Sequence, residues 1–321
     1  MNNKKISFIV IGKNVEKTLK GSIESIYDAI EYCEILDFEI LYIDSKSADD
    51  SVLIAKEFQN IRIFQITGKT NAAVGRNIGA IESKGDILCF LDGDMYLEPA
   101  FISKVIIDGE LIYPFISGQL KNVFYNEEWQ VVGENLLFPK LANDKYFTTT
   151  GGYFIITKDL WQNVGGMNTK YKRGEDIDLG LRLSKIGVKL LRKKDLFVNH
   201  HTIHYQDKSR FWKMLFDGSL HYGTSVLYRD HFFNKHIYPR ILRNSYTLIL
   251  LICCASCTFL SGWCLLPYFT MQFIRAFYQD RKFRVTVLFE KFIYFTLTDV
   301  LSVIGFLIFH PQKKIIHYKS A

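Results

Sequence analysis

The stretch Cys89-Phe90-Leu91-Asp92-Gly93-Asp94-Met95 decides the fold prediction. The apolar residues from Ile87 to Leu91 predict a buried strand, which ends in two aspartates separated by a glycine. At strand ends in open α/β sheets, side chains leave the core and face a crevice where ligands bind. Two aspartates one residue apart can share a hard cation, or divide between a cation and a ligand hydroxyl. On this dipeptide alone a tight Asp-Gly turn is the simpler interpretation, so a functional interpretation depends on polar groups elsewhere in the chain.

Strands alternate with helices in the first third of the chain. The predicted strands are Ile6–Ile11, Glu39–Ile43, Ile61–Ile66 and Ile87–Leu91, and the predicted helices run through Glu31, through Phe58 and from Asn71 to Ser83. This alternation predicts an α/β fold with a mostly parallel sheet flanked by helices. Right-handed crossovers place the carboxyl ends of parallel strands at one edge. We therefore expect Asn14, Asp44, Asp92 and Asp94 to converge.

A dinucleotide site is the obvious competitor for such a sheet. The turn after the first strand reads Gly12-Lys13-Asn14-Val15-Glu16, which contains no G-x-G-x-x-G, and no Walker motif occurs in the sequence. Any bound diphosphate must be held in another way, and a cation on the aspartates is the natural substitute for a glycine cradle.

The second part of the sheet is harder to predict. Residues 98–150 carry several aromatics and read as irregular, surface-crossing structure that we interpret as facing an acceptor. A strand follows at Gly151–Ile156, and a helix begins with Glu175 and Asp176 in its first turn. Acidic residues are favoured there by the helix dipole, which explains the pair about as well as a catalytic role does.

Three histidines follow the last predicted strands, which are Val188–Leu191 and Leu196–Val198. The second of these ends at His200 and His201, with His204 beyond. One histidine at a strand end is often only packed there, but three within five positions beside a predicted cation site favour metal binding.

The C-terminal third suggests a membrane. The net charge is +7, and basic residues flank apolar runs near the C-terminus, a pattern that favours an anionic membrane surface over nucleic acid, for which no motif is present. No charged residue occurs from Asn244 to Ile274, which exceeds the roughly 20 residues needed to cross a bilayer. A second run, Phe292–Phe309, carries Asp299 and is doubtful as a lone span.

The membrane topology stays open at this stage. Two full crossings would put Arg275 and Arg284 outside, against the positive-inside tendency, whereas Gly262 and Pro267 could instead break the first run. The aromatic stripe from Phe211 to Leu227 fits either an amphipathic helix on the bilayer or a helix packed on the catalytic domain. The apolar run Ile6–Ile11 is too short for a signal peptide, so we expect a cytoplasmic start.

The ordered motifs resemble the family 2 glycosyltransferases of the GT-A fold, across roughly residues 6 to 204. The matching segments are Lys13-Asn14 after the first strand, the block Asp44–Asp49 with Ser47, Gly75-Arg76-Asn77 with Gly79, Phe90–Asp94, Gly165-Gly166, and Gly174-Glu175-Asp176 with Asp178-Leu179. The resemblance implies a Rossmann-like GT-A domain at 1–205, an amphipathic helical linker at 206–243 and membrane-associated helices with a basic tail at 244–321.

The resemblance also implies roles for individual residues. Asp44 would accept a hydrogen bond from the nucleotide base, with Asn14 and Ser47 also binding the donor. Arg76 would lie beside base or phosphate, and Asp92 beside the ribose and sugar. Asp94 would be the direct ligand of Mg²⁺ or Mn²⁺, with His200 as the matching histidine, although His201 and His204 leave the register open. Asp176 would be the general base, with Glu175 beside it.

The implied function is inverting transfer of a sugar from a nucleotide-sugar donor to a hydroxyl of a glycan acceptor. The acceptor would be lipid-linked, and the enzyme would work at the cytoplasmic face of the plasma membrane in polysaccharide synthesis. Processive synthases of this family carry Gln-x-x-Arg-Trp, whereas here Gln206, Arg210 and Trp212 have another spacing, so we expect transfer of a single sugar. The alternatives are a polyprenyl-phosphate glycosyl synthase and a non-catalytic nucleotide-sugar-binding protein.

Overall fold

The computed structural model describes residues 4–149, 151–203, 213–214, 216–279 and 284–321. His204, the Gln206–Trp212 segment and part of the predicted aromatic stripe lie outside these described residues. The chain divides into two compact units, one of residues 1–208 with 312–321 and one of residues 209–311. The unit boundary lies close to the predicted end of the catalytic domain at residue 205.

The first unit is an α/β domain built on one large sheet. Its strands are β1 Ile6–Gly12, β2 Phe38–Asp44, β3 Ile61–Ile66, β4 Ile87–Asp92, β5 Met95–Leu97, β8 Phe115–Tyr125, β9 Val131–Leu136, β10 Lys145–Phe147, β11 Phe154–Thr157, β12 Leu190–Ile203 and β13 Tyr318–Ser320, with a separate hairpin of β6 Ile106–Ile107 and β7 Glu110–Leu111. Its helices are α1 Glu16–Tyr32, α2 Ser51–Lys56, α3 Ala72–Glu82, α4 Lys158–Asn163 and α5 Glu175–Lys185.

The predicted parallel core is confirmed. Strands β4, β1, β2 and β3 lie side by side and pair in parallel. In this register Gly12 lies opposite Asp44, and Ile11 opposite Asp92. The strand ends that carry Asp44 and Asp92 therefore reach the same edge of the sheet, as the crossover rule predicts.

The whole sheet is mixed rather than mostly parallel, because the segment predicted to be irregular supplies central strands. β8 lies between β11 and β12, and the first six of its residues are buried. Polar residues interrupt the apolar pattern of this strand, so the sequence does not predict it. One of them, Gln119, is buried because its side chain forms hydrogen bonds with the backbone of Lys194 and Leu141. The expectation of surface-crossing structure at 98–150 was therefore wrong for β8.

The two short strands predicted at 188–198 are one long strand, β12. Its pairing with β8 shifts register between Arg192 and Phe197, where the polar residues Lys193 to Asp195 interrupt the apolar pattern. His200 and His201 consequently lie within the strand and not beyond its end. β5 pairs with β12 such that His200 faces Met95, the residue after Asp94.

The C-terminal tail belongs to the first unit, although we expected it with the membrane helices. β13 adds to the edge of the sheet antiparallel to β3. The Tyr318 ring packs edge-on against Phe64, and its hydroxyl donates to Glu82 Oε1 at 2.6 Å. A strand at the edge satisfies backbone groups of β3 that would otherwise be unpaired.

The second unit is helical. From residue 219 to 244 the described chain forms five short helical segments, among them α6 Leu227–Asp230 and α7 Tyr238–Asn244. The described part of the amphipathic helical linker predicted at 206–243 is therefore not one continuous helix. Gly218 adopts a left-handed conformation with φ of +71° and Asn234 caps a new turn, so that one helix cannot run through.

The long uncharged run is also broken, as one of the two alternatives anticipated. It forms α8 Tyr246–Ser256, a 3₁₀ turn at Gly262–Leu265 that Ser261 caps, and α9 Leu266–Gln279 with Pro267 near its start. At about 1.5 Å per residue, the 11 residues of α8 are too short to cross a bilayer.

Among the described residues, the one helix long and apolar enough to cross a membrane is α10, Val285–Ile308. We had considered this second run the doubtful one because of Asp299. That side chain is 5% exposed and accepts a hydrogen bond from Gln272 Nε2 of α9 at 2.6 Å. Asp299 therefore faces the neighbouring helix, which removes the objection to an apolar outer surface on α10.

Candidate active site

Arg76 joins two acidic residues at the carboxyl edge of the sheet. Its side chain is 3% exposed, and Nη2 lies 2.6 Å from Asp92 Oδ1, at the end of β4. Nη1 lies 3.6 Å from Oε1 of Glu175, the first residue of α5. Nη2 also donates to the Gly152 carbonyl at 3.2 Å. The guanidinium thus connects the acidic motif at Asp92 with the acidic motif at Glu175. Neither motif alone predicts this connection.

Gly152 permits this approach. A Cβ atom at this position would lie 2.6 Å from Asp92 Oδ2, so a larger residue would push the carboxylate away. Gly79 has a similar role under α3, because a Cβ there would lie 2.2 Å from Ile9 Cγ2 of β1. The motif around Arg76 therefore also serves close packing of α3 on the sheet.

Asp94 faces His200. His200 Nε2 lies 3.3 Å from Asp94 Oδ2, and its Nδ1 lies 2.8 Å from Asn122 Oδ1 on β8. Because the Asn122 amide nitrogen donates to Asn135 Oδ1 at 2.9 Å, the Asn122 oxygen is directed at the ring and Nδ1 carries the proton. The lone pair of a neutral His200 is then on Nε2, next to Asp94.

These two residues fit a divalent cation. Asp94 Oδ1 is buried and has no hydrogen-bond partner among the described residues, so an oxygen is available to a hard cation. The described part of the chain contains no group of three or more His, Cys, Asp or Glu side chains arranged for a metal. The protein would thus supply two ligands, and oxygens of a bound diphosphate could supply others.

His201 faces the other side of β12. Its ring stacks on Tyr96 at a centroid distance of 3.8 Å, and its Nδ1 bonds the Tyr125 hydroxyl at 2.8 Å. Its backbone amide donates to the Asp94 carbonyl at 2.8 Å. Of His200 and His201, His200 is therefore the one whose ring forms the close contact with the Asp94 carboxylate.

Hydrogen bonds join the loop after β1 to the loop after β2, and they involve residues that we predicted to bind the donor. The Asn14 amide donates to Ser47 Oγ at 2.9 Å, and Asn14 Oδ1 accepts from the Ala48 amide at 2.9 Å. Asp44 is 1% exposed, and both of its carboxylate oxygens accept from the Ser47 amide. Asn14, Ser47 and Asp44 thus fix the shape of the loops, and Asn14 also lines a cavity of about 450 Å³ with Asp94 and His201. Arg76 and Asp92 line another cavity.

Burial and charge act together on the acidic residues. Burial raises the pKa of Asp92 to about 6, against the opposing charge of Arg76 and with Asp94 adding to the rise. Burial likewise raises the pKa of Glu175 to about 7, opposed by Arg76 and reinforced by Asp176. For His200, burial favours the neutral ring, but the hydrogen bond and charge of Asp94 outweigh it and raise the pKa. Perturbed carboxyl pKa values of this kind concentrate at functional sites.

Asp176 and Asp178 have different surroundings. Asp176 Oδ2 accepts from the Gly151 amide at 3.3 Å and lines a cavity with Glu175. Asp178 is buried and forms an ion pair with Arg182 at 2.9 Å. The Arg182 guanidinium in turn donates to the carbonyls of Val164 and Gly166. Asp178 therefore supports the glycine turn and does not face the cavity.

Two cavities meet at Asp92. One of about 410 Å³ is lined by Gly12, Ser45, Thr70, Asp92, Asp94 and Lys172 among others. The second, of about 340 Å³, is lined by Arg76, Asp92, Gly152, Lys172, Glu175 and Asp176 among others. A ligand in the first cavity therefore reaches the aspartates of β4, and a ligand in the second reaches the acidic pair of α5.

Asparagines of α3 hold the loop that carries Lys172. Asn77 bonds both the amide and the carbonyl of Met167, at 2.9 and 2.8 Å. Asn71 caps α3 and donates to the carbonyls of Thr169 and Tyr171. No local pattern in the sequence predicts these contacts or the bond between Asn122 and His200, because each joins residues distant in the chain.

Two family profiles match parts of the chain that contain residues of this site. The profile described as glycosyl transferase family 2 matches residues 7–108. The profile described as the N-terminal domain of galactosyltransferase matches residues 135–206. The first match contains Asp92 and Asp94, and the second contains Glu175, Asp176 and His200.

Two relatives extend these matches. An uncharacterised glycosyltransferase of Haemophilus influenzae is 26% identical over 172 residues, which are 51% of this chain and 58% of that protein. The amylovoran biosynthesis glycosyltransferase AmsB of Erwinia amylovora is 23% identical over 224 residues, 64% of this chain and 70% of that protein. The match therefore spans little more than half of the Haemophilus protein.

Among solved structures, the mannosyltransferase PcManGT of Pyrobaculum calidifontis, in complex with GDP-Man and Mn²⁺, has a TM-score of 0.59 at 11% identity. The likeness covers 96% of this chain and 88% of that one and concerns the fold. In its two matched profiles and in its relatives the chain is similar to family 2 glycosyltransferases, and its fold is similar to that of PcManGT.

Proposed function

We propose that the protein is an inverting, metal-dependent glycosyltransferase that moves one sugar from a nucleotide-sugar donor to a hydroxyl of a lipid-linked glycan acceptor. The observation that carries the proposal is the convergence of two acidic pairs, Asp92 with Asp94 and Glu175 with Asp176, around the buried Arg76. A donor and an acceptor need separate places beside one another, and the two cavities that share Asp92 provide them.

On the donor side, Asp94 and His200 would hold Mg²⁺ or Mn²⁺. A bound ion of this kind supplies neutralisation of the charge that develops on the leaving diphosphate. Asn122 orients His200 for this role through the bond to Nδ1. The Mn²⁺ present in the PcManGT complex supports the choice of metal.

Donor recognition would use both loops and helix α3. Asp92 and Arg76 line the cavity and would contact the sugar and the phosphates. Asn14, Ser47 and Asp44 would act by holding the loops around Ser45, which lines the larger cavity. This assigns Asp44 a positioning role in addition to the base contact that the family resemblance implies.

On the acceptor side, Asp176 would remove the proton of the attacking hydroxyl, with Glu175 next to it. In this proposal a hydroxyl in the smaller cavity would attack from the side opposite a diphosphate held by Asp94, so that in-line displacement would invert the anomeric centre. The raised pKa of Glu175 keeps a proton near the site at neutral pH.

The location would be the cytoplasmic face of the plasma membrane. Helix α10 is long and apolar enough to anchor the second unit. The relative from Erwinia amylovora is described as an amylovoran biosynthesis enzyme, which supports cell-surface polysaccharide as the product. A polyprenyl-phosphate acceptor is the second candidate, because Lys172 lines the cavity that also contains Asp176.

The test is a transfer assay with the purified full chain. UDP-, GDP- and dTDP-sugars are incubated with Mn²⁺, Mg²⁺ or EDTA, and release of nucleoside diphosphate is measured with and without lipid extract. The proposal predicts metal-dependent release from at least one donor that increases with the extract. Metal-dependent binding of a nucleotide sugar without any release would instead identify a non-catalytic binding protein.

A further inference from the structure

The C-terminal tail approaches the rim of the candidate site. The His317 carbonyl accepts from the amides of Thr67 and Gly68, at 2.8 and 3.2 Å. Three residues earlier, the Lys314 carbonyl accepts from Thr169 Oγ1 at 2.9 Å. The tail is thus bonded both to the segment before α3 and to the loop before α5.

These bonds bring three lysines to one place. Lys69 follows the Thr67–Gly68 segment, and Lys172 follows Thr169 on its loop. Lys172 lines both cavities of the site. Burial lowers the pKa of Lys314, and the charges of Lys172 and Lys69 lower it further, against the attraction of Glu175. The charges of Lys172, Lys69 and Glu175 therefore all act on Lys314, whose backbone is held at the loop before α5.

A hydroxyl group that can donate a hydrogen bond lies in the same part of the site. Thr70 Oγ1 is buried without a hydrogen-bond partner among the described residues, and Thr70 lines the larger cavity with Lys172. Neither Lys69 nor Lys314 forms an ion pair with a carboxylate in the described part of the chain. A phosphate group accepts hydrogen bonds from ammonium groups and hydroxyl groups, and a cluster of both is typical of a phosphate-binding site.

We propose that Lys314, Lys172, Lys69 and Thr70 form a phosphate-binding site at the rim of the two cavities, to which the C-terminal tail contributes a lysine. The inference rests on the proposed function, since the phosphate would belong either to the donor diphosphate or to a lipid-linked acceptor. Both sources have the same chemistry, a phosphate oxygen with negative charge.

The experiment compares Lys314→Ala and Lys172→Ala with the matched control Lys313→Ala in the full chain. Lys313 is exposed and adjacent to Lys314, so its removal changes the net charge equally. Isothermal titration with UDP and GDP in Mn²⁺ reports the donor phosphate, with uridine and guanosine as controls. Farnesyl phosphate, with farnesol as its control, reports the acceptor phosphate.

We expect Lys314→Ala to weaken one of the phosphate probes about tenfold, the size of a lost hydrogen bond to a charged group. Its phosphate-free counterpart and the Lys313→Ala protein should be unaffected, and Lys314→Arg should restore most of the affinity. A loss for the nucleotides assigns the site to the donor, and a loss for farnesyl phosphate assigns it to the acceptor.

Two results separate the failure of this site from failure of the proposed function. If Asp94→Asn abolishes nucleotide binding while Lys314→Ala and Lys172→Ala bind every probe like wild type, the phosphate site is refuted and the function stands. If wild type binds no nucleoside diphosphate but farnesyl phosphate binding depends on Lys314, the site stands and the donor chemistry is refuted.

Discussion

Arg76 forms a buried ion pair with Asp92, with 2.6 Å between Nη2 and Oδ1. The same guanidinium reaches Glu175 at 3.6 Å and Gly152 at 3.2 Å. One side chain therefore sets the distance between the end of β4 and the start of α5. Its charge also lowers the pKa of both carboxyl groups against the effect of burial.

Arg76→Lys should impair the enzyme although it keeps the charge. Lysine offers a point charge and cannot bond two carboxylates and a carbonyl in one plane. We expect donor turnover to fall at least about tenfold and the free energy of unfolding to fall by about 1.5–3 kcal/mol. Arg62→Lys is the control, since Arg62 pairs with Glu39 and Glu82 instead. Equal turnover losses in the two variants would contradict a specific role for Arg76.

The pH profile should report Glu175. Its pKa is raised from 4.5 to about 7, and the proposed site has Glu175 protonated beside the base Asp176, so kcat/KM should fall as pH rises through about 7. The folded protein then holds a proton that the unfolded chain releases between these values, so this group's contribution to the free energy of unfolding falls as pH rises through that interval. Glu175→Gln should remove both effects, and an unchanged inflection would assign it to another group.

Asn122→Ala should lower the affinity for the metal ion although it removes neither of the proposed ligands, Asp94 and His200. Removing the bond that orients His200 typically lowers metal affinity about 10- to 100-fold. Asp94→Asn should have the larger effect and abolish the Mn²⁺ dependence of nucleoside diphosphate binding. Asp28→Asn, on the exposed face of α1, is the matched control. Calorimetry with Mn²⁺ and UDP measures all three, and full Mn²⁺ dependence in Asp94→Asn would exclude Asp94 as a ligand.

The sequence predicted the parts of the site that follow from local pattern. The four parallel strands with Asp44 and Asp92 at their ends, and α5 beginning at Glu175, agree with the structure. The contacts that join them depend on residues far apart, such as Arg76 with Glu175 and Asn122 with His200. No local periodicity encodes these pairs. The functional residues could therefore be predicted from the sequence, but the residues that they contact could not.

Strand β8 and the tail were missed for a different reason. Buried polar residues such as Gln119 interrupt the apolar run of β8, and they are stable only because distant backbone groups bond them. The tail residues Tyr318–Ser320 form a three-residue strand, which is too short for a pattern. Pairing with β3 forms it, and that pairing is a property of the folded sheet.

Removal of the tail should destabilise the first unit. The sequence predicts a catalytic domain at 1–205 and places the basic tail with the membrane-associated region at 244–321. Because β13 pairs with β3, truncation after Pro311 should already lower the melting temperature and expose an unpaired sheet edge. Tyr318→Phe keeps the packing on Phe64 and should cost only about 1 kcal/mol, for the bond to Glu82. A truncated protein that melts like wild type would contradict the role of β13.

The most direct test of the central claim is turnover and donor dissociation constant of Asp176→Asn, measured on one preparation. Asparagine keeps the size of the side chain and removes the basic lone pair. A general base supplies about 10²- to 10⁴-fold in rate, so turnover should fall by that order while donor affinity stays within about twofold. Asn at a helix start should leave stability nearly unchanged. Undiminished turnover, or equal losses of turnover and affinity, would contradict the assignment of Asp176 as the base that makes this protein an enzyme.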